Sequence, residues 1–242
     1  MKFLKNHIPL LSAVAGGIAV LILRHCHLAT ANAAGLLDGG HITGIAAAVL
    51  SVLIPALLLW RSLVLPKNST CRFPASVIAA IGYGIGALGI AYTAVCFLLD
   101  PSVALMRPAA YAGIVAAVAL AILAALQWKG RAANVLYHGA VCLFFMLLLL
   151  CQYQMWSSEP QLQLYVHSIL ATVFLMIGQY HRACFDGKMG QLRMYVFFRC
   201  GSILFCLAAI PGCDLWILYL SGAIWSAADM LNLSVEAPEE GG

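Results

Sequence analysis

The chain has 242 residues, of which 63% are hydrophobic and 9% charged, with a formal net charge of +4, and its mean hydropathy is +0.95. Soluble domains are typically about a quarter charged and about half apolar, so this composition leaves too little polar surface for a water-soluble fold. The apolar residues come in runs of about twenty, the length that crosses about 30 Å of hydrocarbon, which points to an all-α, polytopic integral membrane helical bundle.

Eight spans are predicted in chain order: residues 8–23, 41–65, 74–99, 108–128, 132–156, 161–180, 195–210 and 215–233. The segments between them, PKNSTCRF, DPSVALMRP, WKGR, SSEP, RACFDGKMGQLR and PGCD, carry the Pro, Gly, Asp and Ser that end helices. Residues 1–233 therefore read as one transmembrane domain, and 234–242, SVEAPEEGG, as a short acidic disordered tail.

The first span resembles a secretory leader in outline, with A-x-A sites at Ala29/Ala31 and Ala31/Ala33. The charged break RHCH between its apolar core and those alanines argues for a retained helix instead. With the N-terminus inside, short cytoplasmic segments collect Lys2, Lys5, Arg61, Lys67, Arg72, Lys129, Arg131, Arg182, Lys188 and Arg193. The other side keeps Arg24 and Arg107, and Arg199 lies within the seventh span. This asymmetry predicts a multi-pass protein of the cell membrane with both termini cytoplasmic.

Small residues mark close helix contacts. Gly40, Gly44 and Ala48 do so in span two, and Gly82, Gly84, Gly86 and Gly89 in span three. Span four carries a four-residue ladder of Ala109, Gly113, Ala117, Ala121 and Ala125, which predicts a helix buried in the bundle. GYGIG lacks the strand and helix start that give a phosphate loop its meaning. The FFMLLLL run at 144–150 reads as lipid-facing surface or bundle packing, and Trp60, Trp128, Trp156 and Trp216 as interfacial anchors.

The ionisable residues inside spans are the informative ones, because hydrocarbon penalises each of them. Counted from the span starts, His138 and His167 lie about 9 to 10 Å deep from opposite sides, the placement of a proton-linked route, with no carboxylate at either level. Asp229 is expected to pair with a cation: counting from the Pro211–Gly212 turn at 1.5 Å per residue puts Arg193 at about 28 Å, Arg199 at about 19 Å and Asp229 at about 26 Å, so Arg193 matches best. The segment QYHRACFDGKMGQLR, with His181, Arg182, Lys188 and Arg193, reads as a cytoplasmic basic loop that anchors topology at lipid headgroups or docks a partner.

His25, Cys26, His27 and His41 bring zinc or copper donors near one connection, but adjacent residues rarely aim at one centre, and no metal or other cofactor is assigned. Of nine cysteines, only Cys26 and Cys213 fall where a disulfide could form outside. Hydrolase, metalloprotease and magnesium-carboxylate motifs are missing, and nothing in the sequence suggests nucleic acid.

The expected function is a small binding or transport module for a small, weakly charged or apolar solute, with membrane lipids as surroundings. A non-catalytic subunit that docks a membrane or cytoplasmic protein is the alternative, and an intramembrane enzyme using His and Cys the third reading. A carrier needs a polar-lined cavity, whereas a subunit needs a packed interior and an exposed small-residue stripe.

Overall fold

The computed structural model describes residues 2–30, 41–65, 70–156 and 165–236. Among them are eight helices: α1 (Lys2–Leu28), α2 (Ile42–Leu63), α3 (Val77–Leu99), α4 (Met106–Lys129), α5 (Val135–Trp156), α6 (Val166–Asp186), α7 (Leu192–Ala209) and α8 (Trp216–Leu231). Two short strands, β1 (Thr70–Arg72) and β2 (Ser234–Glu236), pair antiparallel with Cys71 opposite Val235. Residues 234–236, where the tail was expected to begin, form β2 in this pairing; 237–242 lie outside the described residues.

Six helices, α1 to α5 and α7, are long and apolar enough to cross a membrane. Helix α8 has 16 residues, about 24 Å at 1.5 Å per residue and short of a full span. Helix α6 is long enough, but Gln179, His181, Arg182 and Asp186 dilute its apolar character. Exposed Ile45, Val49, Val52 and Leu53 on α2 and Val115 and Val118 on α4 form part of an apolar surface suited to a hydrocarbon solvent.

Helix α7 packs against α1, α2, α6 and α8, and α3 lies between α4 and α8. In α7, 72% of the apolar window is buried, against 11% in α2, so α7 is a central post and α2 a peripheral one. One core holds Tyr83, Leu120, Phe144, Leu148 and Trp225, and a second, between α1, α2 and α7, holds Leu10, Leu58, Tyr195 and Cys200.

The glycines of α3 set its distance from α8. A Cβ on Gly82 would collide with Ala228, one on Gly86 would meet Trp225 at 3.2 Å, and one on Gly89 would collide with Ser221. Gly84, on another face, has nothing within 4 Å. In α4 the ladder positions Ala109, Gly113 and Ala117 are buried and the stripe continues through Ala116, Leu120, Leu123 and Gln127, while Ala121 and Ala125 are exposed. The expected ladder is corrected at these last two positions because four residues turn a helix by about 400°, so each step slides about 40° off the buried face.

Gly44 meets the His27 ring at the end of α1 whereas Ala48 is exposed, so the stripe makes close helix contact at Gly44 and not at Ala48; Gly40 lies outside the described residues. Phe144, Phe145 and Leu148 face the core, while Leu143, Met146 and Leu150 are exposed. Trp60, Trp128 and Trp216 are exposed. Trp156 is instead buried and stacks on Tyr165 with ring centroids 4.2 Å apart, a correction to its reading as an anchor.

Candidate functional site

The segment QYHRACFDGKMGQLR is helix before it is loop. Helix α6 continues six residues past its expected end and stops where Met189 N–H donates to Cys184 O at 2.8 Å and Lys188 N–H to Phe185 O at 3.0 Å. That is a Schellman cap, and Lys188 occupies its left-handed position at φ 61°. Spacings of three and four residues place Gln179, Arg182 and Asp186 on one face of the extended helix, and that face turns into the bundle. Arg182 is only 4% exposed, so it is no headgroup contact.

These side chains join residues from α5, α7 and α8 in a closed ring. Arg199 Nη2 lies 2.9 Å from Asp229 Oδ2 and donates to Gln179 Oε1 at 2.7 Å. Gln179 Nε2 lies 2.5 Å from His138 Nδ1, and His138 Nε2 lies 2.7 Å from Asp186 Oδ2. Asp186 Oδ1 accepts from Arg182 Nη1 at 3.0 Å, and Arg182 Nε, 3.7 Å from Asp229 Oδ1, closes the circuit. Two tyrosines complete Asp229: Tyr83 donates to Oδ1 at 3.1 Å and Tyr195 to Oδ2 at 2.7 Å.

The ring fixes protons as well as positions. Arg199 can only donate, so Gln179 must turn its oxygen toward it and its amide N–H toward His138. His138 Nδ1 is then the acceptor, the ring proton sits on Nε2, and it is given to Asp186. The imidazole is neutral, and two guanidinium groups balance two carboxylates. Burying Asp229 and Arg199 with no exposure carries a large desolvation penalty, which their mutual contact and the Tyr, Gln and Ser226 partners offset. Aromatic faces cover the cations: Arg182 lies 3.7 Å from the Phe73 ring and Arg199 4.7 Å from Trp225.

A cavity of about 540 Å³ opens beside this ring. Arg182, Asp186, His138 and Tyr83 form its polar wall, Leu123, Leu126 and Ala133 its apolar wall, and exposed Gly130, Arg131 and Ala132 its mouth. Phe73 and Pro74 close another side. Pro74 O anchors that side by accepting from Gln127 Nε2 at 2.8 Å on α4 and from Asn232 Nδ2 at 2.9 Å after α8. The cavity lies at the end of the bundle where odd-numbered helices start and even-numbered helices finish.

Two expectations are corrected here. Asp229 pairs with Arg199, while Arg193 donates its Nε to Leu65 O at 2.7 Å. His138 does have a carboxylate, Asp186, brought to its level by the longer α6. Helices α5 and α6 also begin later than expected, so His138 and His167 stand in first turns at opposite ends, not approaching a common centre. His167 Nε2 lies 2.8 Å from Ser51 Oγ. His181 stacks on Phe198 away from the ring, and Lys188 is exposed.

At the opposite end, Tyr219 Oη joins Gln152 Nε2 at 2.6 Å, Thr172 Oγ1 at 3.0 Å and Ser168 O at 3.1 Å. The His27 and His41 rings are 6.0 Å apart, and among the described residues no group of three His, Cys, Asp or Glu side chains is placed to hold a metal. Cys26 and Cys213 are both free thiols.

Gln179, Asp186, Tyr83, Tyr195 and Trp225 are site residues that no motif marks in the sequence. The available signal was the 179/182/186 spacing, a helical face inside an apparent loop. No family model, curated protein or solved structure matches this chain, so the geometry alone carries its interpretation.

Proposed function

We propose that this chain is a multi-pass membrane binding or transport module and that the cavity beside the ionic ring is its site for a small solute. The observation that carries this reading is the coincidence of a cavity of about 540 Å³, within the usual size for small-molecule sites, with buried charges on one wall and aliphatic side chains on another. A solute that engages Arg182 competes with Asp186 and Asp229 and so acts on the contacts joining α5, α6, α7 and α8. That is the differential contact by which a ligand shifts a bundle between arrangements.

In this reading the protein lies in the cell membrane, with both termini and the cavity mouth on the cytoplasmic side, where Lys129, Arg131 and Lys188 cluster as the positive-inside bias requires. The glycine stripe of α3 is taken up by α8, and Gly113 meets Ala94 and Phe144. These contacts favour a self-contained module over one that docks through its small-residue faces. Among the lining residues the hydroxyls are Tyr83 and Ser234 and no cysteine is present, which favours binding over His/Cys catalysis.

The test is a thermal-stability screen of the purified full chain in neutral detergent against small organic acids, amines and neutral apolar solutes, run beside a cavity-filling Ala133→Trp variant. At least one class should stabilise the parent chain and lose its effect in the variant. Identical responses of the two proteins to every class would remove the solute-site reading.

A further inference from the structure

The chemistry of the cavity wall narrows the solute, given its reading as a solute site. Asp186 is occupied on both oxygens, Oδ1 by Arg182 and Oδ2 by His138. Arg182 is not fully used: Nη1 serves Asp186, Nε is buried without a hydrogen bond, and Nη2 has no acceptor among the described residues. A carboxylate with both oxygens taken is a poor receiver for an amine, whereas a guanidinium edge without an acceptor seeks an anion.

The charge balance points the same way. With His138 neutral, Arg131 and Arg182 against Asp186 leave the cavity wall one positive charge in excess. Arg131, exposed at the mouth, donates its backbone N–H to Leu126 O at 3.0 Å, while its guanidinium has no ion-pair or hydrogen-bond partner among the described residues. One monovalent anion cancels the excess, and Leu123, Leu126 and Ala133 offer it an apolar wall to lie along. A polyvalent anion would leave buried negative charge uncompensated beside Asp186 and Asp229, and an anion without a tail would leave the aliphatic wall wet.

We infer that the cavity takes a small organic monoanion, a carboxylate with a short apolar tail, with Arg182 as its buried charge partner and Arg131 as the cation at its mouth. Arg182 has the geometry for this: its guanidinium is held against the Phe73 ring at 3.7 Å and tied through Nη1, so the remaining edge is presented in a fixed orientation.

The experiment compares hexanoate, hexylamine and 1-hexanol, one tail with three heads, by calorimetric titration of the purified full chain in neutral detergent. Hexanoate should bind saturably and tighter than the other two. Arg182→Gln should weaken it by at least about tenfold, the loss of a charge-assisted contact. Arg131→Gln, at an exposed position with no contact to lose, should weaken it by about two- to fivefold, and Arg193→Gln should leave it unchanged. If Arg182→Gln does not fold, the Arg131→Gln and Arg193→Gln comparison decides. Equal hexanoate affinity in the parent and Arg131→Gln proteins overturns the assignment.

Tighter binding of hexylamine or hexanol overturns the monoanion while leaving the solute site standing. Absence of binding by all three also overturns it, and the Ala133→Trp screen then decides separately whether the cavity holds any solute. A parallel titration in nanodiscs of phosphatidylcholine with and without phosphatidylglycerol separates a free carboxylate from a lipid headgroup. Loss of hexanoate binding in the phosphatidylcholine discs, with Arg131-dependent stabilisation by phosphatidylglycerol, assigns the anion to lipid and overturns the free carboxylate.

Discussion

Arg199 and Asp229 are both completely buried and meet at 2.9 Å, Nη2 to Oδ2, across the α7–α8 interface. Removing one partner strands the other charge, so Asp229→Asn and Arg199→Gln should each cost about 3 to 5 kcal/mol. The double variant should lose clearly less than the sum, because neither stranded charge remains. Arg193→Gln combined with Asp229→Asn should be additive, since Arg193 is engaged with Leu65 O. Reversible unfolding in mixed detergent measures all these variants, and additivity of the Arg199/Asp229 cycle would show that the pair is not coupled.

The α3–α8 contact provides an internal control on one helix. An added methyl at Gly82 or Gly89 runs into Ala228 or Ser221, whereas one at Gly84 meets nothing within 4 Å. Gly82→Ala and Gly89→Ala should therefore destabilise by about 1 to 3 kcal/mol, the usual effect of overpacking. Gly84→Ala should be neutral or stabilise by up to about 1 kcal/mol through helix propensity. Thermal midpoints of the three proteins in the same detergent provide the check, and equal effects at Gly82 and Gly84 would contradict the close α3–α8 packing.

Helix number and type are legible in the sequence because apolar runs of span length admit few other structures. The site is less legible, for reasons that differ by residue. Arg193 and Asp229 match in depth, but Arg193 lies two residues before Tyr195 and therefore about 200° around α7 from the face that carries Tyr195 and Arg199. Depth counting ignores that rotation.

The apolar run puts the start of span five at Ala132, yet α5 begins at Val135 beside Asn134, whose Oδ1 accepts from Leu136 N–H at 3.0 Å. The missed cap places the imidazole a turn nearer the helix start. Arg182 and Asp186 read as loop because they are polar and precede Gly187, whereas partners on α5, α7 and α8, with Gln179 one turn earlier, make a polar helical face stable inside the bundle.

The α6 terminus offers a stabilising substitution. The left-handed position of its Schellman cap is Lys188, with φ 61°, and the neighbouring Gly187 sits at φ −81°. A non-glycine residue there carries about 1 to 2 kcal/mol of steric strain, and glycine's greater unfolded freedom offsets about 0.5 to 1 of its relief. Lys188→Gly should stabilise by up to about 1 kcal/mol, whereas Gly187→Ala, at an ordinary backbone angle, should change little. Thermal unfolding of both variants measures this difference, and destabilisation by Lys188→Gly would contradict the cap.

Gln179 holds the proton pattern of the ring, because its amide bridges a permanent donor, Arg199 Nη2 at 2.7 Å, and His138 Nδ1 at 2.5 Å. In the parent protein the His138 proton should reside on Nε2, visible by ¹⁵N NMR of histidine-labelled protein as one protonated and one unprotonated ring nitrogen, with the signals assigned by their loss in His138→Gln. Gln179→Glu keeps the side-chain shape but replaces the amide donor with a second acceptor, so Nδ1 should take a proton and both nitrogens should appear protonated at pH 7. The added negative charge is then balanced by the imidazolium, and the variant should remain folded. Gln179→Leu leaves Nδ1 without a partner and should cost about 1 to 3 kcal/mol without adding a proton. A parent spectrum with the proton on Nδ1 would show that Arg199 does not set the tautomer, whereas a second proton in Gln179→Glu but not in Gln179→Leu would trace it through this one amide.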